Sequence, residues 1–269
     1  LNVNWVTNVE FSGIFTDPRQ PMHGGVFLAI IGDNFDGHDY IQQAEAMGAV
    51  GVIVSQQINT SLAALQVEDT QVALAEIAKY HLQTFRPATV AITGSNGKTT
   101  TKNLLANILS LSAPTLKTQG NLNNHLGVPM TLLKLEQQHQ YAVIEMGANH
   151  LGEVAYLRDI VNPNIAVVTN TGDAPIGEFG SKQNLIKAKG EIYSNHSKNI
   201  VNTHTSYAGD LSFTPVTQAD EKTNAAVGDI FASNVKPSSF TLHINKQHID
   251  VSLQLIGRHN INNAFAASA

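Results

Sequence analysis

Val90-Ala91-Ile92-Thr93-Gly94-Ser95-Asn96-Gly97-Lys98-Thr99-Thr100-Thr101 decides how this chain is read. Residues 89–92 are apolar and largely β-branched, the composition of a buried strand. Gly94 and Gly97 bracket a tight turn. Beyond it, Leu104, Leu105, Ile108 and Leu109 recur at helical spacing. A loop that enters a helix in this way aims several backbone N–H groups at one spot. The helix dipole adds positive potential there, which suits a phosphate. Lys98 supplies a mobile charge for the outer phosphates, and the Thr99 hydroxyl suits the accompanying magnesium. The expected cradle for ATP is Gly94, Ser95, Asn96, Gly97, Lys98, Thr99 and Thr100.

The motif is G-x-x-G-K-T, shorter than the full phosphate-loop formula, which has a glycine where this chain has Ile92. The bland alternative is a glycine turn that happens to precede Lys-Thr. Strand, loop, lysine, hydroxyl and helix in the required order favour the phosphate site.

The chain has 269 residues, enough for two domains at roughly 100–200 residues each. Its hydrophobic content of 42% supports sizeable cores, and a net charge of −5 argues against a general nucleic-acid binder. Without cysteine there is no disulfide, thiol catalysis or Cys-based zinc site, in keeping with a reducing compartment. The longest apolar runs, 26–31 and 50–54, are strand length, far too short to cross a bilayer. The N-terminus has no signal-peptide pattern and no Met, and 260–269 reads as the opening turns of a helix. The expectation is a fragment of a longer protein.

In chain order, residues 1–86 read as a small α/β domain. Strands are expected at 14–16, 25–31, 50–54 and 64–67, with helices at 39–47 and 71–85. Asp69 or Thr70 caps the longer helix, and Arg86-Pro87 marks the boundary. Residues 87–269 alternate strand (89–93, 115–117, 141–146, 165–169, 200–202) with helix (99–111, 127–135, 152–161, 182–194). That alternation implies a P-loop-type, mostly parallel sheet with helices on both faces, and ligands off the carboxyl ends of its strands. Segments 229–233, 239–244 and 248–255 read as antiparallel.

Three further stretches carry chemistry. The strand Tyr141-Ala142-Val143-Ile144-Glu145 ends in a carboxylate, where a second magnesium ligand belongs. Gly120-Asn121-Leu122-Asn123-Asn124-His125-Leu126-Gly127 is dense in amides. These suit polar ligand groups, or equally turns and caps. In Lys187-Ala188-Lys189-Gly190-Glu191 the two lysines face different sides of a helix, and spacing does not say which one faces a site.

Together with Thr16-Asp17-Pro18-Arg19, Phe35-Asp36-Gly37-His38-Asp39, Ile144-Glu145-Met146-Gly147-Ala148-Asn149-His150, Glu178-Phe179-Gly180-Ser181 and Gly257-Arg258-His259-Asn260-Ile261-Asn262-Asn263, these pieces resemble the Mur ligases of peptidoglycan synthesis. Within that family the chain looks most like the branch that adds D-alanyl-D-alanine to UDP-N-acetylmuramoyl-tripeptide. The resemblance implies a cytoplasmic, monomeric ATP-dependent ligase, with no nucleic-acid partner and no membrane insertion. ATP would phosphorylate the tripeptide carboxylate, and the dipeptide amine would attack the acyl phosphate. Lys98, Glu145 and a carbamylated Lys189 would be catalytic, with magnesium held by Thr99, Glu145 and Lys189. Carbamylation needs a neutral amine, hence a lysine depressed by burial or nearby positive charge. His259, Asn260 and Asn263 would lie at the adenine end. Substrate contacts would come from Asp17, Arg19, Phe35, Asp36, His38, Asn121, Asn123, Asn124, Asn149 and His150.

This chain departs from the family pattern at three places. Pro175 stands where a metal-binding histidine is usual, Pro18 replaces a hydroxyl residue, and His125 replaces an acid. The expected fragment stops before the family's third domain, so the chain alone is expected to bind nucleotide without ligating. The rival readings are another ligase of the Mur and folylpolyglutamate type, a GTPase-like switch, and a non-catalytic nucleotide-binding protein. The switch would need Asn-Lys-x-Asp, and Asn245-Lys246-Gln247-His248 lacks the acid.

Overall fold

The computed structural model describes residues 3–4, 10–20, 22–32, 34–171, 177–202, 214–218, 230–244 and 247–268. They fall into two compact units, Leu1–His81 and Leu82–Ala269.

The first unit runs β1 (Val3–Asn4), β2 (Ile14–Phe15), β3 (Val26–Leu28), β4 (Ile31–Gly32), β5 (Phe35–Asp36), α1 (Ile41–Ala46), β6 (Gly51–Val54), β7 (Ala63–Gln66) and α2 (Thr70–Phe85), whose last turn crosses the division. Five strands form one sheet in the order β1-β7-β6-β3-β2, parallel except for β1. Phe15, Phe27, Ile41, Ala44 and Val52 make its core. The apolar run 25–31 reads as one strand in the sequence but splits in two. Ala29 and Ile30 turn their carbonyls to the Thr70 hydroxyl (2.9 Å) and the Gly37 amide (2.8 Å) instead of a ladder. The β4–β5 hairpin that results has no signature in hydropathy. Asp69 caps α2 by accepting from the amides of Gln71 and Val72.

The second unit runs β8 (Ala88–Thr93), α3 (Lys98–Ser110), β9 (Thr115–Lys117), α4 (Gly127–Leu132), β10 (Tyr141–Glu145), α5 (Glu153–Val161), β11 (Ile165–Val168), α6 (Lys182–Gly190), β12 (Lys198–Asn202), β13 (Thr214–Gln218), β14 (Ile230–Lys236), β15 (Ser239–Ile244), β16 (Gln247–Ser252) and α7 (Arg258–Ser268). Its sheet has the order β16-β15-β14-β13-β12-β11-β8-β10-β9. It is parallel from β9 to β14 and antiparallel in the last two pairings. The antiparallel strands are where the sequence puts them, but they extend the main sheet, through the unforeseen β13. Helix α6 stops at Gly190, four residues short of the expected 194, where the Ile192 and Tyr193 amides turn back to the Lys189 and Gly190 carbonyls.

Strand β8 is the pivot. The chain leaves it toward β9 and β10 on one side, then crosses to β11 on the other. Such a reversal opens a crevice at the carboxyl ends of the strands. Among the described residues, no helix is long and apolar enough to cross a membrane.

Candidate active site

The loop from β8 to α3 sits in that crevice, and both neighbouring strands hold it. Gly94 has φ +147 and Gly97 φ +79, conformations that disfavour any side chain. There is also no room for one. A Cβ on Gly94 would stand 2.1 Å from Thr169 Oγ1, and one on Gly97 would stand 2.1 Å from Asn263 Oδ1. Beyond β11, the Asn170 carbonyl accepts from the Ser95 amide at 2.9 Å, and Asn170 Nδ2 donates to the Asn96 carbonyl at 2.9 Å. Thr169 Oγ1 donates to the same carbonyl at 2.6 Å. Among the described residues no side chain caps α3, so its first-turn amides keep the orphan donors that an anion satisfies. The Ser95 hydroxyl is buried and, among the described residues, has no partner. Lys98 folds back on its own loop, with Nζ donating to the carbonyls of Gly94 (2.8 Å) and Ser95 (3.3 Å). Burial lowers its pKa, partly offset by the Glu145 charge.

On the other side, β10 delivers Glu145, 2% exposed. Thr99 Oγ1 donates to its Oε2 at 3.0 Å and Asn123 Nδ2 to its Oε1 at 2.9 Å. Lys102 Nζ stands 3.4 Å from Oε2 and is as deeply buried. The sequence reading passes over Lys102. Its only signal is its place three residues after Thr99, hence on the same helix face.

Lys98, Asn123, Asn124, His125, Asn149 and Lys189 line one cavity of about 620 Å³, with Leu151, Tyr156 and Leu157 on its apolar side. The ambiguity in α6 is resolved, since Lys187 is exposed and Lys189 is 4% exposed. Lys189 Nζ donates to the Ala148 carbonyl at 3.1 Å and lies 5.1 Å from the Phe179 ring centroid. Its pKa falls to about 8, first through burial and then through the charge of Lys98. An amine so depressed fits carbamate formation.

Of the other expected residues, Asn263 is buried against the loop, whereas His259 is exposed at the start of α7. Asn260 ties itself to the Ile256 carbonyl. Asn124 accepts from the Gly127 amide, a turn role, and the Asn121 carbonyl accepts from the Asn123 amide. Thr100 lies in the first turn of α3. Asn149 meets Glu153 through its amide, and the exposed His150 ring bridges Glu153 (2.9 Å) and Glu178 (3.0 Å). Pro175 lies outside the described residues.

In the first unit, Asp17 accepts three bonds from Arg19, each 2.9 Å, and their mutual pull lowers the carboxyl pKa. Asp36 accepts from the His38 amide and ring and from Gln56. The Ser55 amide donates to His38 Nε2, so the ring proton sits on Nδ1, toward Asp36. Phe35 is half-exposed on its hairpin.

Residues 92–269 match the model for the Mur ligase middle domain, and residues 10–83 match the one for the Mur ligase family catalytic domain. The UDP-N-acetylmuramoyl-tripeptide–D-alanyl-D-alanine ligase of Escherichia coli is 41% identical over 97% of this chain and 60% of its own length. A crystal structure of MurF from Acinetobacter baumannii superposes with a TM-score of 0.88 at 40% identity, covering 97% of this chain and 59% of that one. MurF of Thermotoga maritima, solved in complex with ADP, gives 0.79 at 26% identity over 97% and 62%. The chain thus spans about 60% of the length of these relatives.

Proposed function

Because the chain belongs to the Mur ligase family, we propose that it carries the nucleotide-binding and catalytic parts of an ATP-dependent ligase. That enzyme joins D-alanyl-D-alanine to UDP-N-acetylmuramoyl-tripeptide in peptidoglycan synthesis. The observation that carries this reading is the meeting of Lys98, Lys189 and Asn123, the partner of Glu145, at one cavity beside an uncapped helix start.

The second unit takes ATP. Its phosphate tail lies against the first turn of α3, and Lys98 leaves the Gly94 and Ser95 carbonyls to meet the outer phosphates. Asn263 supports the loop from below, with His259 and Asn260 toward the adenine. The tripeptide carboxylate attacks the γ-phosphoryl group and ADP leaves. The dipeptide amine then attacks the acyl carbon, loses a proton, and expels phosphate. Lys98 and the loop amides neutralise charge that develops on the transferring group. The site fits magnesium, since Thr99 and Glu145 offer hard oxygen donors and a carbamylated Lys189 would offer another. A magnesium ion held by these residues would supply Lewis-acid charge stabilisation to the phosphoryl transfer.

The first unit takes the uridine nucleotide through Asp17, Arg19, Phe35, Asp36 and His38, so the domains divide the work as substrate binder (1–86) and ATP binder (87–269). Asn121, Asn123, Asn124, Asn149 and His150 guide the peptide end.

The test is phosphate release by the whole gene product. Release that requires ATP, UDP-N-acetylmuramoyl-tripeptide and D-alanyl-D-alanine together supports the reading. Release with dihydrofolate and glutamate instead replaces it with the folylpolyglutamate reaction. The 269-residue chain alone is expected to bind ATP without ligating.

A further inference from the structure

Lys102 belongs to none of the motifs above, yet its side chain is 2% exposed. A buried ammonium is costly unless paired, and its ion-pair partner among the described residues is Glu145. An apolar side chain of the same bulk would fill the space without that cost, because exchanging a buried ion pair for packing is often neutral or stabilising. The charge therefore needs a reason of its own.

Glu145 supplies one. Its carboxylate already accepts from Thr99 Oγ1 and Asn123 Nδ2 and faces the Lys102 ammonium at 3.4 Å. Two donors and a full cation balance it before any substrate arrives. We propose that Lys102 is a positioning residue that acts as a resident cation. It fixes Glu145 in place and cancels its charge, so a divalent ion gains a foothold there only when it arrives with nucleotide phosphates. A unit positive charge within about 4 Å of the carboxylate opposes a second cation strongly in so dry a place. The negative phosphate tail at the neighbouring loop offsets that opposition. Metal and nucleotide are thereby obliged to bind together, and the free carboxylate does not collect stray metal. This inference rests on the reading of Glu145 as a metal ligand.

The experiment uses Mn²⁺ as an EPR-visible ion, titrated into the protein with and without a non-hydrolysable ATP analogue. Wild type takes up Mn²⁺ tightly only with the nucleotide. Lys102→Met keeps the bulk and removes the charge. It binds Mn²⁺ without nucleotide on the order of tenfold or more tighter than wild type. Mn²⁺ also raises its melting temperature more than that of wild type. Lys102→Arg restores the wild-type pattern, and the double variant Lys102→Met/Glu145→Gln loses the nucleotide-free uptake. Equal nucleotide-free Mn²⁺ affinity in wild type and Lys102→Met overturns the role. If Lys102→Met folds only with metal, recovery in Mn²⁺ supports it and failure to recover overturns it. If Glu145→Gln binds Mn²⁺ with nucleotide as wild type does, the ligand reading itself falls, and this inference with it.

Discussion

The Lys102–Glu145 pair and the His150–Glu153–Glu178 group are made of similar charges in the same unit, yet they stand in different solvents. The first is 2% exposed on both sides, whereas in the second the His150 and Glu178 side chains are 57% and 65% exposed. Water screens the exposed group, and each member can be rehydrated if a partner is lost. The buried pair has no such recourse. A carboxylate held in this way has a fixed direction, which suits a ligand. A histidine held by two exposed acids can let go.

The contrast is broken first by Glu145→Ala, which strands the Lys102 ammonium. It should cost about 3–5 kcal/mol of stability, read by urea denaturation. Glu178→Ala should leave the same transition unmoved. A mild effect of Glu145→Ala would mean that Lys102 finds another partner.

Next in size is Lys98→Ala. It removes the donor proposed to turn from the loop carbonyls to the phosphates, and it should lower turnover in the whole enzyme on the order of 10²–10³-fold. Calorimetry on this chain should report weaker ATP binding. Unchanged affinity would undo the reading of the loop.

Lys189 gives a smaller effect, set by pH. Its pKa of about 8 lies below the ordinary 10.5, so burial makes the charged form costly. That cost is present in full below pH 8 and is relieved as pH climbs from about 8 toward 10.5, so stability should rise across that window. Near neutral pH the lysine also holds on the order of a hundred times more neutral amine than an ordinary one. ¹³C-bicarbonate should therefore give a carbamate NMR signal that Lys189→Ala lacks.

The smallest effect is at His150, whose pKa is raised above 6.5 mainly by Glu153, with Glu178 adding to it. The clasp's contribution is present below the ordinary histidine value and lost as pH rises through the raised one. An NMR titration should move toward the ordinary midpoint in Glu153→Gln, and in wild type at high salt.

The legible part of the site is the part written in local sequence. Loop, lysine, hydroxyl and helix occupy consecutive positions, and Glu145 ends an apolar strand, so both could be read without the fold. Lys189 could be narrowed only to one of two lysines, because burial decides which one matters and spacing does not encode burial. Lys102 was invisible, since a lysine on an early helical turn ordinarily faces water. Thr169 and Asn170 carry no local signal for a different reason. They reach the loop only because β11 lies beside β8, a fact of sheet order. In the first unit, the break in 25–31 depends on acceptors claimed by Thr70 and Gly37, distant partners that hydropathy does not reveal.

Asn263 fills the space a side chain on Gly97 would need, so the floor of the phosphate loop comes from α7, the last helix described. The same helix packs Ile261, Ala264 and Phe265 against the sheet, so the loop reaches its final shape only once α7 has docked. On a chain emerging from the ribosome, grip on the nucleotide would then mature only after α7 has emerged. A chain shortened to end before residue 258 should keep its β-structure by circular dichroism and hold ATP loosely.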